Sequence, residues 1–586
     1  MKIKRFGIKS RLILKKFVLD IKRSHLKDLR NRILVYFKKL PDVVHLRNLI
    51  LFSAILSFII MVMFFQRFSA LHDYYQVKSP DYGGIYTEGV VGDIEKINPL
   101  FVKNYAEASA NRLVFSGLTR VMPDNKIIPD LAEKWDIKDN GKTYVFTLRK
   151  NAKWHDNQAL TVDDVIFTIN LIQNPDTRTS QSAVWQNIKA EKIDNQKLKI
   201  TLPNVYSNFL EVASQPILPE HLLKETDPSS IKISEFNLKP IGSGPYKFVR
   251  FDQAGNEVKV IFKANENFQP HKPYIDQVNL RLYDNFNNLY NGILRKQVNS
   301  VTQIPSNKAS EIRKIGSMKL YDFYLPRYKL IDLNLKNSLL AQKEIRKAIS
   351  QAINRTDVID KVLNGQAMPA YAPILPGQEG YNPALNKNSY NLASANDVLE
   401  KLGWIKEKDG IRVKDGKRLS LRFVAANETE NRNVMEVVKK QLNSIGVEVN
   451  TSLVESDLLQ AEYIRPRNFD LILFGQNTGS ESDLYSFWHS SQINDPGLNL
   501  SGFNDRRVDK LIELGRKSNN TKIKNDKYNQ AQEIIVEETP AIYLYNPVYT
   551  MAVTGNIKNF FQGKIFDPVD HLNNIFDWYI NEKAKL

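Results

Sequence analysis

The chain contains no cysteine. Disulfides, thiolate–zinc sites, cysteine nucleophiles and thiol lipidation are therefore all excluded. Histidine is scarce: eight residues, at 25, 45, 72, 155, 221, 271, 489 and 571, none paired at metal-ligand spacing. HExxH and GxSxG are both absent. Gly141-Lys142-Thr143 resembles the end of a phosphate-binding loop. The first glycine of that motif would fall on Asp136, however, and the segment runs into a strand-like stretch. Gly242-Ser243-Gly244 lacks the spacing of a nucleophile elbow and is followed by Pro245. Its glycines suit a chain crossing that needs unusual φ values. Asp163-Asp164 follows Thr161 and suits a capping box better than an acid/base pair. No cofactor is expected.

Positive charge is plentiful but localised. The net charge is +18. Residues 1–48 hold 15 Lys and Arg against 3 Asp, leaving 67 basic and 61 acidic residues elsewhere. The body of the chain is only mildly basic, so nucleic acid is not an expected partner.

One long apolar run is present. Leu49 to Phe65 reads LILFSAILSFIIMVMFF, with Arg47 before it and Arg67 after it. Seventeen residues make a helix about 26 Å long, the short end of a membrane span. The basic residues precede it, which places 1–48 in the cytoplasm and the rest outside. A cleavable signal peptide is the alternative. Its basic region is normally short, and only Ala70 supplies a small residue for cleavage. An uncleaved signal anchor at 49–65 is better supported. The expectation is a single-pass cell-membrane protein with a cytoplasmic N-terminus. Residues 11–40 show helical periodicity (Ile13, Phe17, Ile21; Leu26, Leu29, Ile33, Phe37) with basic residues between. That suits a helix on an anionic leaflet, or equally a solvated basic tail.

After a stalk at 66–80, strand and helix patterns alternate, which predicts an α/β class. Trp135–Ile137 and Thr143–Arg149 flank Asn140-Gly141 as a hairpin, with Tyr144, Phe146 and Leu148 on one face. Thr161 caps a helix carrying Val165, Ile166, Ile169 and Ile172. Two helices run from Lys343 to Gly365, where glycine provides the stop. Residues 421–474 read as βαβ, with a helix over Arg432–Ser444 and parallel strands. Two α/β regions imply two lobes with a ligand cleft between them.

Several phrases resemble the family 5 extracellular solute-binding proteins, the oligopeptide-, dipeptide- and nickel-binding receptors of ABC importers. Ile241–Phe248 resembles the family's GTGPY segment. Gly117-Leu118-Thr119, Pro129–Trp135, Tyr144–Arg149 and Trp154–Val165 follow its order. So do Ile331–Asn334, Ile345–Ile349, Leu402-Gly403-Trp404, Leu442–Val447, Phe469–Leu471 and Asn499–Phe503. The resemblance covers roughly residues 82–555.

It implies a two-lobed periplasmic-binding-protein-like fold, type II with an extra subdomain, preceded by one transmembrane helix. Lobe I would comprise 81–118, 240–328 and 546–586, with a subdomain at 119–239. Lobe II would comprise 329–545. The implied function is capture of a peptide-like solute, held largely by backbone hydrogen bonds, and delivery to an ABC permease. The alternatives are a sensory receptor signalling through 1–48 and, remotely, a surface hydrolase.

Peptide-binding members place a tryptophan and an amine-binding aspartate just after the strand that is here Phe469–Phe474. By spacing, those positions fall on Asn477 and Ser480. Glu481 or Asp483 is the substitute for amine capture. Gln476, Tyr485, Trp488, Trp185 and Asn98 complete the expected ligand-binding set.

Overall fold

In the computed structural model the described residues are 30–31, 34–35, 44–75 and 77–585, apart from 123–125, 207, 255–256, 386–387, 480–482, 519 and 562. Most of the basic segment 1–48 lies outside them. The chain divides into two units, Met1–Ser79 with Lys583–Leu586, and Pro80–Glu582.

In the first unit, helix Val44–Tyr75 contains the expected span. The side chains described along its apolar run, 49–64, are exposed, Phe52 and Phe58 among them. The side chains of Phe65 and of 68–75 are outside the described set. Among the described residues no helix is long and apolar enough to cross a membrane.

The second unit is built on a sheet of twelve strands. Its last strand, Ala541–Thr554, is shared by two halves. The first part of that strand pairs antiparallel with Arg327–Leu333. The remainder pairs with Met318–Tyr324. The changeover falls at Leu325-Pro326 and Asn546-Pro547. Proline has no N–H to give a ladder, so neither strand can continue its pairing across this point. Asn546 bridges the gap: its buried Nδ2 donates to the carbonyl of Leu325 at 2.7 Å and also to that of Arg327. These two segments form the crossing between two lobes.

Each lobe has its own core. One gathers Tyr86, Val90, Leu113, Tyr246, Val278 and Leu280 with Phe146, Ile169 and Ile200 of the 119–239 region. Here Ile85–Val91 pairs parallel to Gln277–Tyr283, which continues antiparallel to Glu257–Ala264 and Tyr246–Ala254. A buried polar knot ties the C-terminal segment to this half. Glu88 accepts from the Tyr86 hydroxyl at 2.8 Å, the Tyr105 hydroxyl at 2.7 Å and His571 Nε2 at 3.0 Å. His571 Nδ1 faces the Pro568 carbonyl at 2.8 Å, so both ring nitrogens face acceptors. Burial raises the Glu88 carboxyl, but His571 and the two hydroxyls outweigh it and leave the group below its usual range.

The other core gathers Ile331, Ile345, Ile349, Val358, Leu421, Phe423, Val434, Leu442 and Leu473. Strand Ser420–Ala426 pairs parallel with Glu448–Val454 and, at Phe423 and Val424, with Leu471–Asn477. The βαβ reading therefore holds, with the helix starting earlier, at Thr429. Helices Lys343–Ala352 and Arg355–Leu363 also form; Asn364 takes the left-handed stop at φ 51° before Gly365. In the hairpin, Asp139, Asn140 and Gly141 all have positive φ, and Tyr144, Phe146 and Leu148 are buried. The capping box forms as well, with Asp164 Oδ2 accepting from the Thr161 N–H at 2.8 Å.

The reading of Gly242 and Gly244 is corrected in its cause. Neither has positive φ. A Cβ on Gly242 would lie 2.0 Å from the Val114 carbonyl oxygen, and one on Gly244 would lie 2.6 Å from the Val114 carbonyl carbon. The glycines are there because two backbones touch, not because the chain twists. His155 locks the crossing: its Nδ1 accepts from the Gly242 N–H at 3.2 Å, so Nε2 carries the hydrogen that meets the Gly244 carbonyl at 3.1 Å. Burial pushes the His155 imidazole down to about 4.

Two outcomes follow. Gly242→Ala should lose about 1–3 kcal/mol in urea unfolding from the backbone clash; an unchanged midpoint contradicts the close-approach reading. His155 is held neutral below its ordinary range, so its contribution is complete above about pH 6.5 and is lost as pH falls towards 4. His155→Gln can keep both hydrogen bonds without titrating. Its melting temperature should fall less than the wild type's between pH 6.5 and 4; parallel slopes contradict the assignment.

Candidate ligand site

Strand Leu471–Asn477 ends at the crossing. Asn477 is in register with Arg327, and Gln476 with Tyr328. The next residue is clamped: the Thr478 N–H and Oγ1 donate to the Pro326 carbonyl at 2.8 and 3.0 Å. Gln378 Nε2 holds the same hydroxyl at 2.9 Å. Residues 475–479 are thus fixed against the hinge.

The strand's other edge is open. It pairs with Ser420–Ala426 only at Leu471 and Ile472, so from Leu473 onward no strand covers that edge among the described residues. A row of unpaired backbone donors and acceptors results.

Two cavities flank this segment. A cavity of 490 Å³ lies between Thr478, Gly479 and Asp483 on one side and residues of 99–120 and 181–216 on the other. A second, of 760 Å³, lies on the hinge side. Its walls include Gln303–Ser306, Arg327–Lys329, Glu428, Glu430, Gly475–Asn477 and Pro547–Thr550.

The expected residues divide between these cavities and the interior. Gln476 and Asn477 line the hinge-side cavity. Gln476 is buried and its Oε1 accepts from the Tyr328 hydroxyl at 3.0 Å. Trp185 and Asp483 line the other cavity. Trp185 packs edge-on against Phe209 with ring centres 6.1 Å apart. Asp483 accepts from the Tyr485 N–H at 3.1 Å and the Tyr528 hydroxyl at 3.3 Å, and pairs with Arg516 Nε at 3.2 Å. Its charge is already answered.

Tyr485 lines neither cavity; it stacks on His489 at 4.4 Å and lies under the Arg516 guanidinium at 4.3 Å. Trp488 is buried against Tyr543 in the core. Asn98 is fully buried, donating to Asn237 Oδ1 at 2.8 Å and accepting from the Leu100 N–H at 2.9 Å. Its neighbour Pro99 reaches the cavity wall. Ser480 and Glu481 lie outside the described residues.

Sequence reasoning missed the charged walls. Arg120 and Asp130 pair at 2.7 Å beside the smaller cavity; burial raises the Asp130 carboxyl even against that cation. Arg327, Lys329, Glu428 and Glu430 line the larger cavity, where the Tyr545 hydroxyl donates to Glu430 at 2.9 Å. The available signal was the pair Leu325-Pro326 and Asn546-Pro547, each interrupting a strand-like run. Among the described residues no His, Asp and Glu side chains cluster as a metal site. The arrangement suits binding an extended solute along a strand edge.

The sequence profile of the bacterial extracellular solute-binding proteins, family 5, matches residues 126–495. The chain belongs to that family. As a family 5 solute-binding protein it is a receptor and not an enzyme. It is 30% identical over 513 residues to the oligopeptide-binding protein AppA of Bacillus subtilis, covering 86% of this chain and 92% of the relative. The structure of that AppA with a nonapeptide superposes at TM-score 0.72 and 29% identity, covering 86% of this chain and all of the other. NikZ from Campylobacter jejuni, in complex with Ni(L-His), gives TM-score 0.72 at 26% identity, with 84% and 99% covered. The two-lobed fold is that of these relatives.

Because Trp488 is packed in the core, Trp488→Ala should cost about 3–5 kcal/mol of stability. Chemical denaturation checks it; a loss under 1 kcal/mol places the indole outside the core.

Proposed function

We propose that this family 5 protein is the peptide-binding receptor of an ABC importer, tethered to the membrane it serves. The observation that carries the reading is the uncovered strand edge at Gly475–Asn477, opening into an inter-lobe cavity. Extended peptides bind such edges through main-chain hydrogen bonds, and side-chain pockets then add selectivity. The likeness to a protein named oligopeptide-binding, whose structure holds a nonapeptide, supports it. Gln476, Asn477, Asp483 and Trp185 line the site. Ser480 and Glu481 continue the same segment, with Tyr485 behind it. Asn98 and Trp488 brace the walls.

The proposed layout keeps 81–118, 240–328 and 546–586 as lobe I, 119–239 as its subdomain and 329–545 as lobe II. The single long strand at 541–554 then crosses between lobes, and closure around solute presents both to the permease. The uncharged run at 49–65, in a helix whose described side chains are exposed, supports its role as anchor in a protein with no cysteine to lipidate.

Thermal melting of the detergent-solubilised full chain against pools of tri- to nonapeptides tests binding. At least one pool should raise the melting temperature by several degrees; no shift from any pool overturns the peptide reading. Carbonate washing of membranes tests the tether: the chain should stay in the pellet, and its release rejects the anchor.

A further inference from the structure

Arginines buried in this fold are answered by the protein, with one exception. Arg120 pairs with Asp130, and Arg412 with Glu400. Arg346, Arg355 and Arg467 donate to backbone carbonyls, among them those of Glu538, Tyr543 and Ile493. Arg327 has nothing comparable. Among the described residues no carboxylate lies within ion-pair distance of it, and its Nε is buried without an acceptor. Burial lowers its pKa; Tyr549, Asp567 and Glu430 act on it only through longer-range charge. Its one close companion is the ring of Tyr549, 6.0 Å beneath the guanidinium.

A guanidinium withdrawn from water without a counter-ion destabilises the protein that holds it. Arg327 stands at the crossing between the lobes, one residue after the proline that ends the ladder, and it lines the 760 Å³ cavity. Lys329, two residues along the same strand, lines that cavity too. Strand alternation puts both on one face. The acidic side chains of the cavity, Glu428 and Glu430, sit at the start of helix Thr429–Ser444, and Glu430 is held by Tyr545.

Resting on the peptide-receptor reading, we infer that Arg327 receives a carboxylate of the bound solute in the hinge-side cavity. The receptor therefore selects solutes that carry one, from a peptide C-terminus or an acidic side chain. A planar guanidinium takes a carboxylate through two parallel hydrogen bonds. Arg327 is then a specificity determinant, and the solute supplies the counter-ion that the fold withholds. Recognition is anchored by the acidic group, while Asp483, the described carboxylate nearest the strand end, is already paired with Arg516.

The experiment uses the full chain in detergent with three hexapeptide pools: free acids, C-terminal amides, and free acids lacking Asp and Glu. Wild type should bind the free acids at least tenfold tighter than whichever pool lacks the recognised carboxylate, which identifies its source. Arg327→Gln should abolish that difference while its ligand-free melting temperature stays level or rises. Equal loss across all pools, or no loss, overturns the inference. Succinate, titrated as a bare dicarboxylate, separates the two readings. If no peptide pool binds but succinate stabilises wild type and not Arg327→Gln, the peptide reading fails and the carboxylate site stands. If succinate also fails, both fall.

Discussion

The buried carboxamide of Asn546, spanning the gap left by Pro326 and Pro547, is the interaction on which the rest of the receptor is hung. Two prolines remove the N–H groups that would let the ladder run straight through. Without a substitute the crossing would leave carbonyls unsatisfied in the interior, each costing on the order of 1–3 kcal/mol. Asn546 fills two of those vacancies with one side chain, and Thr478 fills a third by donating twice to Pro326. The crossing is therefore satisfied yet not a continuous sheet. The two halves can hold separate cores on either side of it.

The same point organises the ligand site. Because Thr478 is bonded to the hinge, the strand end before it has a fixed position relative to both cavities. Its uncovered edge, the polar walls and Arg327 all lie within a few residues of the crossing. Two further knots hold the surrounding half rigid: His155 at the Gly242–Gly244 contact, and Glu88 with Tyr86, Tyr105 and His571. Each spends buried polar groups on joining segments far apart in the chain, where apolar packing alone would permit sliding.

Much of this was legible in the sequence where the cause is local. Asn140-Gly141 marks a tight turn, Thr161 with Asp164 marks a helix start, and the Leu421–Phe474 alternation marks a parallel unit. Each depends on neighbours a few residues away. The glycines of 242–244 showed that a side chain is intolerable there, but not whether twist or close contact forbids it. Trp488 and Trp185 show a similar ambiguity, since an indole near a cleft and an indole in a core carry the same letter. Only burial separates them. Arg327, Glu430 and Tyr549 could not be grouped at all, because they come from three segments over 100 residues apart that meet only when the long strand folds back.

The position of the hinge-side cavity has a mechanical meaning. Two bodies turning about a crossing move little near the axis and far at the rim. A pocket beside Pro326 and Pro547 keeps nearly the same shape whether the jaws stand apart or together. Walls around Trp185 and Asp483, farther out, sweep through larger arcs. A solute that seats its first group at the pivot meets a rigid gauge, and the outer walls then act as a vice whose stopping point depends on what extends from that seat.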